Sequence, residues 1–468
     1  MNYNGCNSYK LAPFERYMIM DDTAEYSMAC HIRLWFDGEL VQEVFTRALE
    51  AALKAHPFMR VKLRRSAGLF GIETMFFDEV PVNAQQALDW NDFDKPIEPK
   101  LFNGNDLRTT FHVRASKEHA ILVVRFHHAT SDGQGVYSFL DDLFITYDAI
   151  VHGKQIPKIQ RDNRLLVKRF NFGMTGMMWL KRLHLDIRRF LKFITGFPTP
   201  MAASRTKILD KPASISANLR VVIPNSSLAI FKQTAKKLDA SFNDLLVARL
   251  FKRLALWNKT ISGSARPGTI FRMNVPISMR DKSDDLLPAT NYVSMVFLDR
   301  SNNQILDETN LVKSITSEMQ HIKNDKMGFT LVRSVKAMTK ISFLDKFLRL
   351  PICMASIGLT NLGRPFNDSK LMGKDGVLRI GNAILSGLDT LPPVRNLTRA
   401  TVSVNRFNEN LSITLRWDSR SIDLEQARQF LSGYVEMITE PAVFGLLSSN
   451  LAVAPHSLSV PNWETVQT

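Results

Sequence analysis

The sequence predicts an α/β protein with two sizeable cores, because the chain is long and its apolar periodicity changes repeatedly. Its 468 residues are about three times a typical domain length. Residues 120–126 form an apolar, β-branched run typical of a mostly buried strand, and residues 136–144 place apolar side chains on one helical face. Residues 271–279 alternate apolar and polar side chains, which is the period of a half-buried strand.

Other elements follow the same two patterns in chain order. A helix is predicted over residues 39–55, with an apolar face directed inward. A strand with alternating apolar residues is predicted over 411–417, after a turn at 408–410, and a last helix from Leu424 to Ile438. The polar segment from about residue 456 is expected to be loose. We therefore expect strands and helices to share each core.

The seven residues from His127 to Gly133 lie between the buried strand and the amphipathic helix. Two imidazoles therefore come where a core strand ends, beside an Asp-Gly pair that allows a sharp turn. An imidazole that titrates near neutrality can accept a proton in a transition state. On its own, a lone His, or an Asp beside Gly, is more often a core residue or a helix cap. The flanking sequence must decide between these interpretations.

The pattern His-His-x-x-x-Asp-Gly resembles the signature of the CoA-dependent acyltransferase superfamily, and all four signature residues match. This superfamily includes chloramphenicol acetyltransferase, non-ribosomal peptide condensation domains, wax ester synthase/diacylglycerol acyltransferases and alcohol acetyltransferases. Three further segments are similar to family landmarks and occur in the family's order: His56-Pro57-Phe58-Met59-Arg60, Phe242 to Ala248, and Val275 to Arg280 followed by Asn291. The resemblance is to the superfamily and does not identify a subfamily.

The resemblance implies an α/β fold of two chloramphenicol-acetyltransferase-like lobes that form a V, with an active-site tunnel between them. On this basis residues 1–160 are expected to form the first lobe and residues 161–217 a basic amphipathic crossover segment. Residues 218–455 are expected to form the second lobe, and residues 456–468 a flexible tail.

The resemblance also assigns roles to individual residues of the motif. It makes His128 the general base that takes a proton from the acceptor, with no covalent acyl-enzyme, and His127 a supporting residue. Gly133 is expected to keep room near the oxyanion. Asp132 is expected to be structural, because the family's Asp pairs with a downstream arginine and Arg280 is the matching position. An ion pair there would hold the histidine loop and join the two lobes.

Two asparagines complete the predicted site. Asn291 follows the Val-Pro-x-Ser-x-Arg landmark and is expected to support the active site. Asn361 lies in Thr360 to Pro365, a segment similar to loops of wax ester/diacylglycerol enzymes and alcohol acetyltransferases, with Thr in place of Ser. Asn361 is expected to line the tunnel, although an Asn-Leu-Gly turn without a chemical role is an equal alternative.

The resemblance implies a thioester substrate, acyl-CoA or an acyl carrier protein, with a hydroxyl or amine acceptor and no resident cofactor or metal. Three readings remain open. The first, which we favour, is an acyltransferase that moves an acyl group from CoA or carrier-bound pantetheine to a hydroxyl or amine, for example on a lipid. A free-standing condensation-like domain that forms an amide or ester with a carrier protein in trans is the alternative to it. The second is a non-catalytic module that binds an acyl group or carrier. The third is nucleic-acid binding, which is disfavoured because the apolar stripe of the basic segment is too continuous for a stacking platform.

Positive charge is concentrated in one part of the chain, whose formal net charge is +15. Residues 161–211 hold twelve Lys or Arg residues against three acids, and residues 177–194 are predicted to form a basic amphipathic helix. Such a helix suits an anionic membrane surface. Packing on its own lobe is an equal alternative. A second basic amphipathic segment, residues 340–350, could flank the same surface.

Cysteine usage and the N-terminus bear on location. The three cysteines, Cys6, Cys30 and Cys353, are too few for a disulfide framework and lack metal-ligand spacing. The first residues lack the basic and apolar pattern of a signal peptide. We therefore expect a cytoplasmic location, with peripheral attachment to the inner face of a membrane if residues 177–194 bind lipid.

Overall fold

The computed structural model describes residues 6–67, 73–97, 102–172, 187–191, 193, 195–203, 217–263, 268–324, 328–340, 348, 350 and 352–439. Two six-stranded sheets and one three-stranded sheet organise this part of the chain. Of the predictions above, most of the helix at 177–194, most of the segment at 340–350 and the tail from 456 lie outside the described residues.

The first six-stranded sheet pairs two of its three nine-residue strands at its centre. Its order is β12-β13-β2-β7-β6-β5, and all neighbours are antiparallel except β5 and β6. The bounds are β2 Ala29–Asp37, β5 Leu88–Asp92, β6 Thr109–Ala115, β7 His119–His127, β12 Arg379–Ile380 and β13 Ala383–Leu391. The run at 120–126 is β7, and its apolar side chains are buried, which confirms the predicted strand.

The second six-stranded sheet is built from the other half of the chain. Its order is β10-β9-β11-β14-β15-β8. The bounds are β8 Ala217–Ile223, β9 Ile270–Ser278, β10 Val293–Ser301, β11 Ile357–Asn361, β14 Ala400–Phe407 and β15 Asn410–Trp417. The predicted strand at 411–417 is confirmed as β15. The alternation at 271–279 is confirmed as β9, but Arg272 on its polar face is only 2% exposed, because it pairs with Asp299.

A small third sheet has the order β1-β4-β3, with β1 Ser8–Lys10, β3 Val61–Ser66 and β4 Thr74–Glu79. The α-helices, numbered here in chain order, are α1 Pro13–Asp21, α2 Gln42–Ala55, α3 Ala84–Ala87, α4 Gly133–Val151, α5 Ala229–Lys237, α6 Phe242–Ser262, α7 Asn302–Leu306, α8 Glu308–Asn324, α9 Phe329–Lys340 and α10 Leu424–Ile438. The helix predicted from residue 39 begins at Gln42, and the helix predicted over 424–438 is α10 with those bounds.

Each large sheet carries its own hydrophobic core. Helices α2 and α4 cover the first sheet, and α6, α8 and α10 cover the second. A third cluster lies among α1, the small sheet and α9. Strands β12 and β13 come from residues 379–391 yet belong to the first sheet, so chain order and lobe membership differ there. The boundaries at 160, 217 and 455 stay predictions.

Candidate active site

The histidine motif occupies the connection between β7 and α4. Strand β7 ends at His127, and α4 begins at Gly133. Asp132 is the N-cap of α4, and its Oδ1 accepts a hydrogen bond from the backbone N–H of Gly135 at 2.8 Å. A carboxylate at this position satisfies a free amide of the first helical turn and interacts favourably with the helix dipole. The loop is therefore fixed at both ends by regular structure.

His128 is half-buried and held through its backbone from two sides. Its N–H donates to the carbonyl oxygen of Met28 at 2.9 Å, and its own carbonyl accepts from Nδ2 of Asn291 at 2.6 Å. Burial lowers the pKa of His128, while hydrogen bonds to the backbone carbonyls of His128 and Ser131 and the charge of Asp132 oppose this change. The imidazole is therefore neutral at pH 7, which is the form that can accept a proton.

His127 is fully buried beside His128. Its Nδ1 accepts a hydrogen bond from the N–H of Ala129 at 3.0 Å, so its ring proton lies on Nε2. That Nε2 lies 3.4 Å from Oδ2 of Asp22. Burial lowers the pKa of His127, although the hydrogen bond and charge of Asp22 act in the opposite direction. This ring faces the protein interior, an arrangement compatible with the supporting role that remains predicted for it.

Asp22 is a site residue that sequence reasoning missed. Its Oδ1 accepts from the N–H of Met28 at 2.8 Å, while its other oxygen faces His127. Burial raises the pKa of Asp22, but hydrogen bonds from His127, Met28 and Ser27 lower it by a larger amount. The pKa of Asp22 therefore lies below its usual value. Asp22 therefore lies beside His127 and is linked to His128 through Met28, whose carbonyl oxygen accepts a hydrogen bond from the N–H of His128. The sequence offers only an Asp pair at the end of α1, which resembles a solvated helix terminus.

The structure brings Asp132 and Arg280 together. Nη1 of Arg280 donates to Oδ2 of Asp132 at 2.7 Å, and the same oxygen accepts from the N–H of Tyr292 at 2.7 Å. Nη2 of Arg280 donates to the carbonyl of Thr290 at 2.9 Å. Asp132 is 4% exposed, so its charge depends on these donors. The ion pair links the start of α4 to the segment between β9 and β10.

The two predicted asparagines occupy different positions. Asn291 is buried and, besides the carbonyl of His128, contacts Sδ of Met18 at 3.0 Å. Asn361 ends β11, where Nδ2 donates to Oδ1 of Asn243 at 3.0 Å and Oδ1 accepts from the N–H of Gly363 at 2.9 Å. Asn291 is therefore placed to orient the candidate base. Asn361 joins its loop to the Asn-Asp landmark of α6, and its place in a tunnel stays a prediction.

Two glycines allow close packing around the loop. A Cβ on Gly133 would lie 2.7 Å from Cδ2 of Leu362, so the side chain of Leu362, which follows β11, fills the space above this residue. The oxyanion role of Gly133 remains a prediction. A Cβ on Gly135 would lie 2.9 Å from the carbonyl oxygen of Thr290, a backbone atom that cannot move aside easily. Gly135 was missed, although a second Gly in Asp-Gly-Gln-Gly was a visible signal.

Further contacts bind residues 281–292 to the first half of the chain. Nε2 of His56, from the His-Pro landmark, lies 2.9 Å from Oδ2 of Asp142, and its Nδ1 accepts from the N–H of Ala289 at 2.8 Å. Nε of Arg161 donates to the same carboxylate at 2.8 Å, and its Nη1 donates to the carbonyl of Asp285 at 2.9 Å. The connection between the lobes is therefore distributed over several pairs.

Some of the basic segment's charge is used internally. Lys168 pairs with Asp284, and Arg169 with Glu15 at 2.6 Å. Residues 187–191 are helical, with Ile187 and Leu191 about half exposed. Within the described residues, no helix is long and apolar enough to cross a bilayer, and no cluster of three or more His, Cys, Asp or Glu side chains is arranged for a metal ion.

No protein-family model and no curated protein matches the chain. Solved structures do match. The first condensation domain of the calcium-dependent antibiotic synthetase, in complex with a substrate analogue, gives a TM-score of 0.65 at 12% identity over 95% of this chain and 98% of that chain. The starter condensation domain of rhizomide synthetase, a mutant in complex with C8-CoA, gives 0.62 at 12% identity over 95% of each. The epimerization domain from the third module of tyrocidine synthetase B gives 0.64 at 11% identity over 96% and 97%.

These likenesses span nearly the whole of each chain, and at 11–12% identity they establish the fold. The protein has the two-lobed α/β fold of these condensation domains. The fold class predicted from the sequence is confirmed, and membership of the superfamily stays a prediction from the four sequence landmarks. The fold also carries epimerization domains, so the reaction must be argued from the site itself.

Proposed function

We propose that this protein is an acyltransferase that moves an acyl group from a thioester, acyl-CoA or a carrier-bound pantetheine, to a hydroxyl or amine. One observation carries the proposal: a neutral, half-buried His128 lies at the end of a core strand, and groups from both halves of the chain hold it. Its backbone N–H and carbonyl are bound to Met28 and Asn291, so the backbone that carries the ring is fixed. A positioned base near neutrality is what acyl transfer from a thioester requires.

The chemistry needs one proton carrier and no covalent intermediate on the protein. The carbonyl carbon of the thioester is already electrophilic. His128 takes the proton of the acceptor hydroxyl or amine as the oxygen or nitrogen attacks that carbon. The carbon–sulfur bond then breaks, and the proton on the imidazole passes to the leaving thiolate. The products are an ester or amide and a free thiol, and His128 returns to its neutral form.

The neighbours support a thioester donor. One was solved in complex with C8-CoA and another with a substrate analogue. Condensation with a carrier protein in trans is an alternative form of the same reaction, with the acceptor held on the carrier. A non-catalytic module that only binds an acyl group or carrier has the same fold and would differ only in turnover. The donor, the acceptor and any role in lipid metabolism belong to this proposal.

We also propose a cytoplasmic location, which the state of the cysteines supports. Cys6, Cys30 and Cys353 are free in the structure, and burial raises the pKa of Cys30 to about 12 and that of Cys353 to about 11. Cysteines in this state suit a reduced cytoplasmic compartment. Peripheral contact with an anionic membrane through residues 177–194 is part of the same proposal.

A comparison of variants tests the function. The purified chain is incubated with acetyl-CoA, octanoyl-CoA, dodecanoyl-CoA and an acyl carrier protein, together with a panel of alcohols and amines, and thiol release and product mass are recorded. We expect His128→Ala to lower turnover by about 10²–10⁴-fold, the usual contribution of general base catalysis. His152→Ala, an exposed histidine at the end of α4, is the matched control and should retain full activity.

Equal turnover in wild type and His128→Ala would contradict the assignment of the base. Binding of acyl-CoA without product from any acceptor would favour the non-catalytic module. Proton exchange at the α-carbon of a carrier-bound aminoacyl group would instead favour the chemistry of the epimerization-domain neighbour. Untargeted metabolite and lipid profiles after overexpression of wild type and His128→Ala would identify the acceptor class.

A further inference from the structure

The structure contains an apolar cavity outside the histidine loop. This open cavity of about 220 Å³ is lined mainly by β10, α8, α9 and the helical residues 187–191. Most of its lining is aromatic, aliphatic or thioether, including Phe190, Phe193, Met295, Phe297 and Met338. An interior of this kind binds aliphatic groups by removing their surface from water.

The charged groups around this cavity are largely neutralised by one another. Arg272 is 2% exposed, and its Nε donates to Oδ1 of Asp299 at 2.6 Å. Glu318 accepts from Nη1 of Arg300 at 2.7 Å. Arg189 lies on the helical wall, where a long side chain can cover apolar groups with its stem and keep its head in water. The paired charges leave an interior suited to an uncharged chain.

The lining also suits a flexible ligand. Three methionines contribute to it, Met295, Met338 and Met354. Methionine has no branch and several rotatable bonds, so methionine-rich sites adapt to apolar ligands of varying shape. A rigid, planar ligand would gain less from such a wall than a flexible aliphatic chain does.

Two segments connect this cavity to His128. Strand β10 begins two residues after Asn291, whose side chain contacts His128, and Met295 is the third residue of the strand, about 7 Å from its start. Tyr17 lines the cavity, and the next residue, Met18, contacts Nδ2 of Asn291. Residues of α1 and β10 that line the cavity are therefore close in the chain to Met18 and Asn291, and Asn291 binds the carbonyl of His128.

We propose that this cavity binds the aliphatic chain of a substrate, so that the enzyme acts on medium-chain or long-chain substrates rather than on acetyl groups alone. The proposal rests on the acyltransferase function proposed above, but chain binding can be measured without turnover. The chain could belong to the acyl group of the donor or to the alkyl part of a lipid-like acceptor, since both present the same chemistry.

A binding experiment tests the cavity directly. Isothermal titration calorimetry is performed with dodecanoate and, as a short-chain comparison, butyrate. Ser334 lines the cavity from α9, and its hydroxyl donates to the carbonyl of Thr330, one turn earlier in the same helix, at 2.9 Å. Ser334→Phe should fill the cavity and weaken dodecanoate binding by about tenfold or more. Ala337→Phe, on the exposed face of the same helix, is the matched control and should bind as wild type does.

Circular dichroism and thermal unfolding establish that both variants are folded. Failure of wild type to bind dodecanoate, or equal binding by the two phenylalanine variants, would overturn the proposal. His128→Ala should bind dodecanoate with wild-type affinity, so loss of catalysis and loss of chain binding are separable. A protein that binds dodecanoate and loses that binding in Ser334→Phe supports the cavity even if the reaction assigned above is wrong.

Kinetics with Ser334→Phe then distinguish the source of the chain. A raised KM for dodecanoyl-CoA with an unchanged KM for acetyl-CoA would place the donor's acyl group in the cavity. A raised KM for a long-chain alcohol with unchanged donor constants would place the acceptor there. Unchanged KM values for all long-chain substrates would overturn the proposal that the cavity is a substrate site.

Discussion

The protonation state of His128 is the residue property on which the proposed reaction depends. Its ring is half-buried, and burial lowers its pKa from the ordinary value, against the opposing charge of Asp132 and two backbone carbonyls. A neutral imidazole can accept a proton and a protonated one cannot, so protonation of His128 abolishes its activity as a base. Because the pKa is lowered, protonation requires a lower pH than it would for an exposed histidine.

The pH profile of kcat/KM should reflect this lowered pKa. We expect activity to persist as the pH falls to the ordinary histidine pKa of about 6.5, and to be lost only below it. The measurement is kcat/KM between pH 5 and 9 with a donor whose own groups do not titrate in that range. An acid limb at or above 6.5 would show that a different, more exposed group is the base.

His127 should behave differently from its neighbour. Its Nδ1 is occupied by the N–H of Ala129 and its Nε2 faces Asp22, so neither nitrogen is directed to an acceptor substrate. We expect His127→Ala to reduce kcat less than His128→Ala does, and to lower thermal stability, because it removes a fully buried ring. Steady-state kinetics and thermal unfolding are measured together. A loss of kcat equal to that of His128→Ala, with unchanged stability, would assign His127 a direct chemical role.

At the scale of elements, Gly135 in the first turn of α4 lies so close to the segment between β9 and β10 that a side chain at this position would clash with it. Gly135→Ala should destabilise the protein by about 1–3 kcal/mol, the usual cost of overpacking, even though Ala favours helices by about 1 kcal/mol. The clash would involve the backbone of Thr290, which precedes Asn291. Urea unfolding measures the change.

Gly104→Ala is the control, since nothing lies within 4 Å of the added Cβ at that position. Unfolding free energies that are the same for Gly135→Ala and wild type would mean that the α4 turn and the 290 segment separate more easily than the structure indicates. The kinetics of Gly135→Ala should also change, because a displaced Asn291 alters the support of His128.

The ion pair between α4 and the end of β9 can be tested by a double-mutant cycle. Asp132→Asn should weaken the contacts with Arg280 and with the N–H of Tyr292, and Arg280→Gln should leave a carboxylate that is 4% exposed without its cation. Removing one partner of a buried pair costs about 3–5 kcal/mol, less here because the Arg280 side chain is 20% exposed. Urea unfolding of both single variants and the double variant gives the coupling.

We expect the double variant to be less destabilised than the sum of the two single variants, by about 0.5–3 kcal/mol. Strict additivity would show that the two side chains do not interact in solution. Other contacts between the halves, such as that of His56 with the N–H of Ala289, should keep the double variant folded.

At the scale of the whole molecule, the uneven charge predicts an interaction surface. The helical residues 187–191 present Ile187 and Leu191 to solvent beside Arg188, while Phe190 packs into the interior. Replacing Lys181, Arg182 and Arg188 by Gln should reduce co-sedimentation with anionic vesicles, because each basic residue near such a surface contributes about 1 kcal/mol. Activity on a small soluble acceptor should be retained. Arg189 is left in place because it lines the apolar cavity.

Donor saturation curves for the same variant show whether these basic residues bind a membrane surface or an anionic acyl donor. Unchanged vesicle binding with a raised KM for the donor would assign these charges to the phosphates of CoA or to an acidic carrier protein. Added salt weakens both interactions and cannot separate them. Replacing Lys232, Lys236 and Lys237 of α5 by Gln removes equal charge elsewhere and should leave vesicle binding unchanged.

Much of the local structure could be predicted from sequence because it depends on periodicity. The buried run became β7, the alternation after residue 410 became β15, and the helix after the histidine loop became α4. The motif placed His128 and Asp132 at the junction of strand and helix. The alternation of β9 did not indicate that Arg272, on the polar face of the strand, is buried and paired with Asp299.

The sequence by itself determined the class of fold and the position of the candidate base, because strand and helix periods and a contiguous motif are local properties of the chain. The tertiary structure decided what is brought to that base: Asp22 beside His127, the backbone of Thr290 against Gly135, and β13 from residues 383–391 in the first sheet. These partners are far apart along the chain. Their contacts depend on how complete elements pack, and no local pattern of residues specifies that packing.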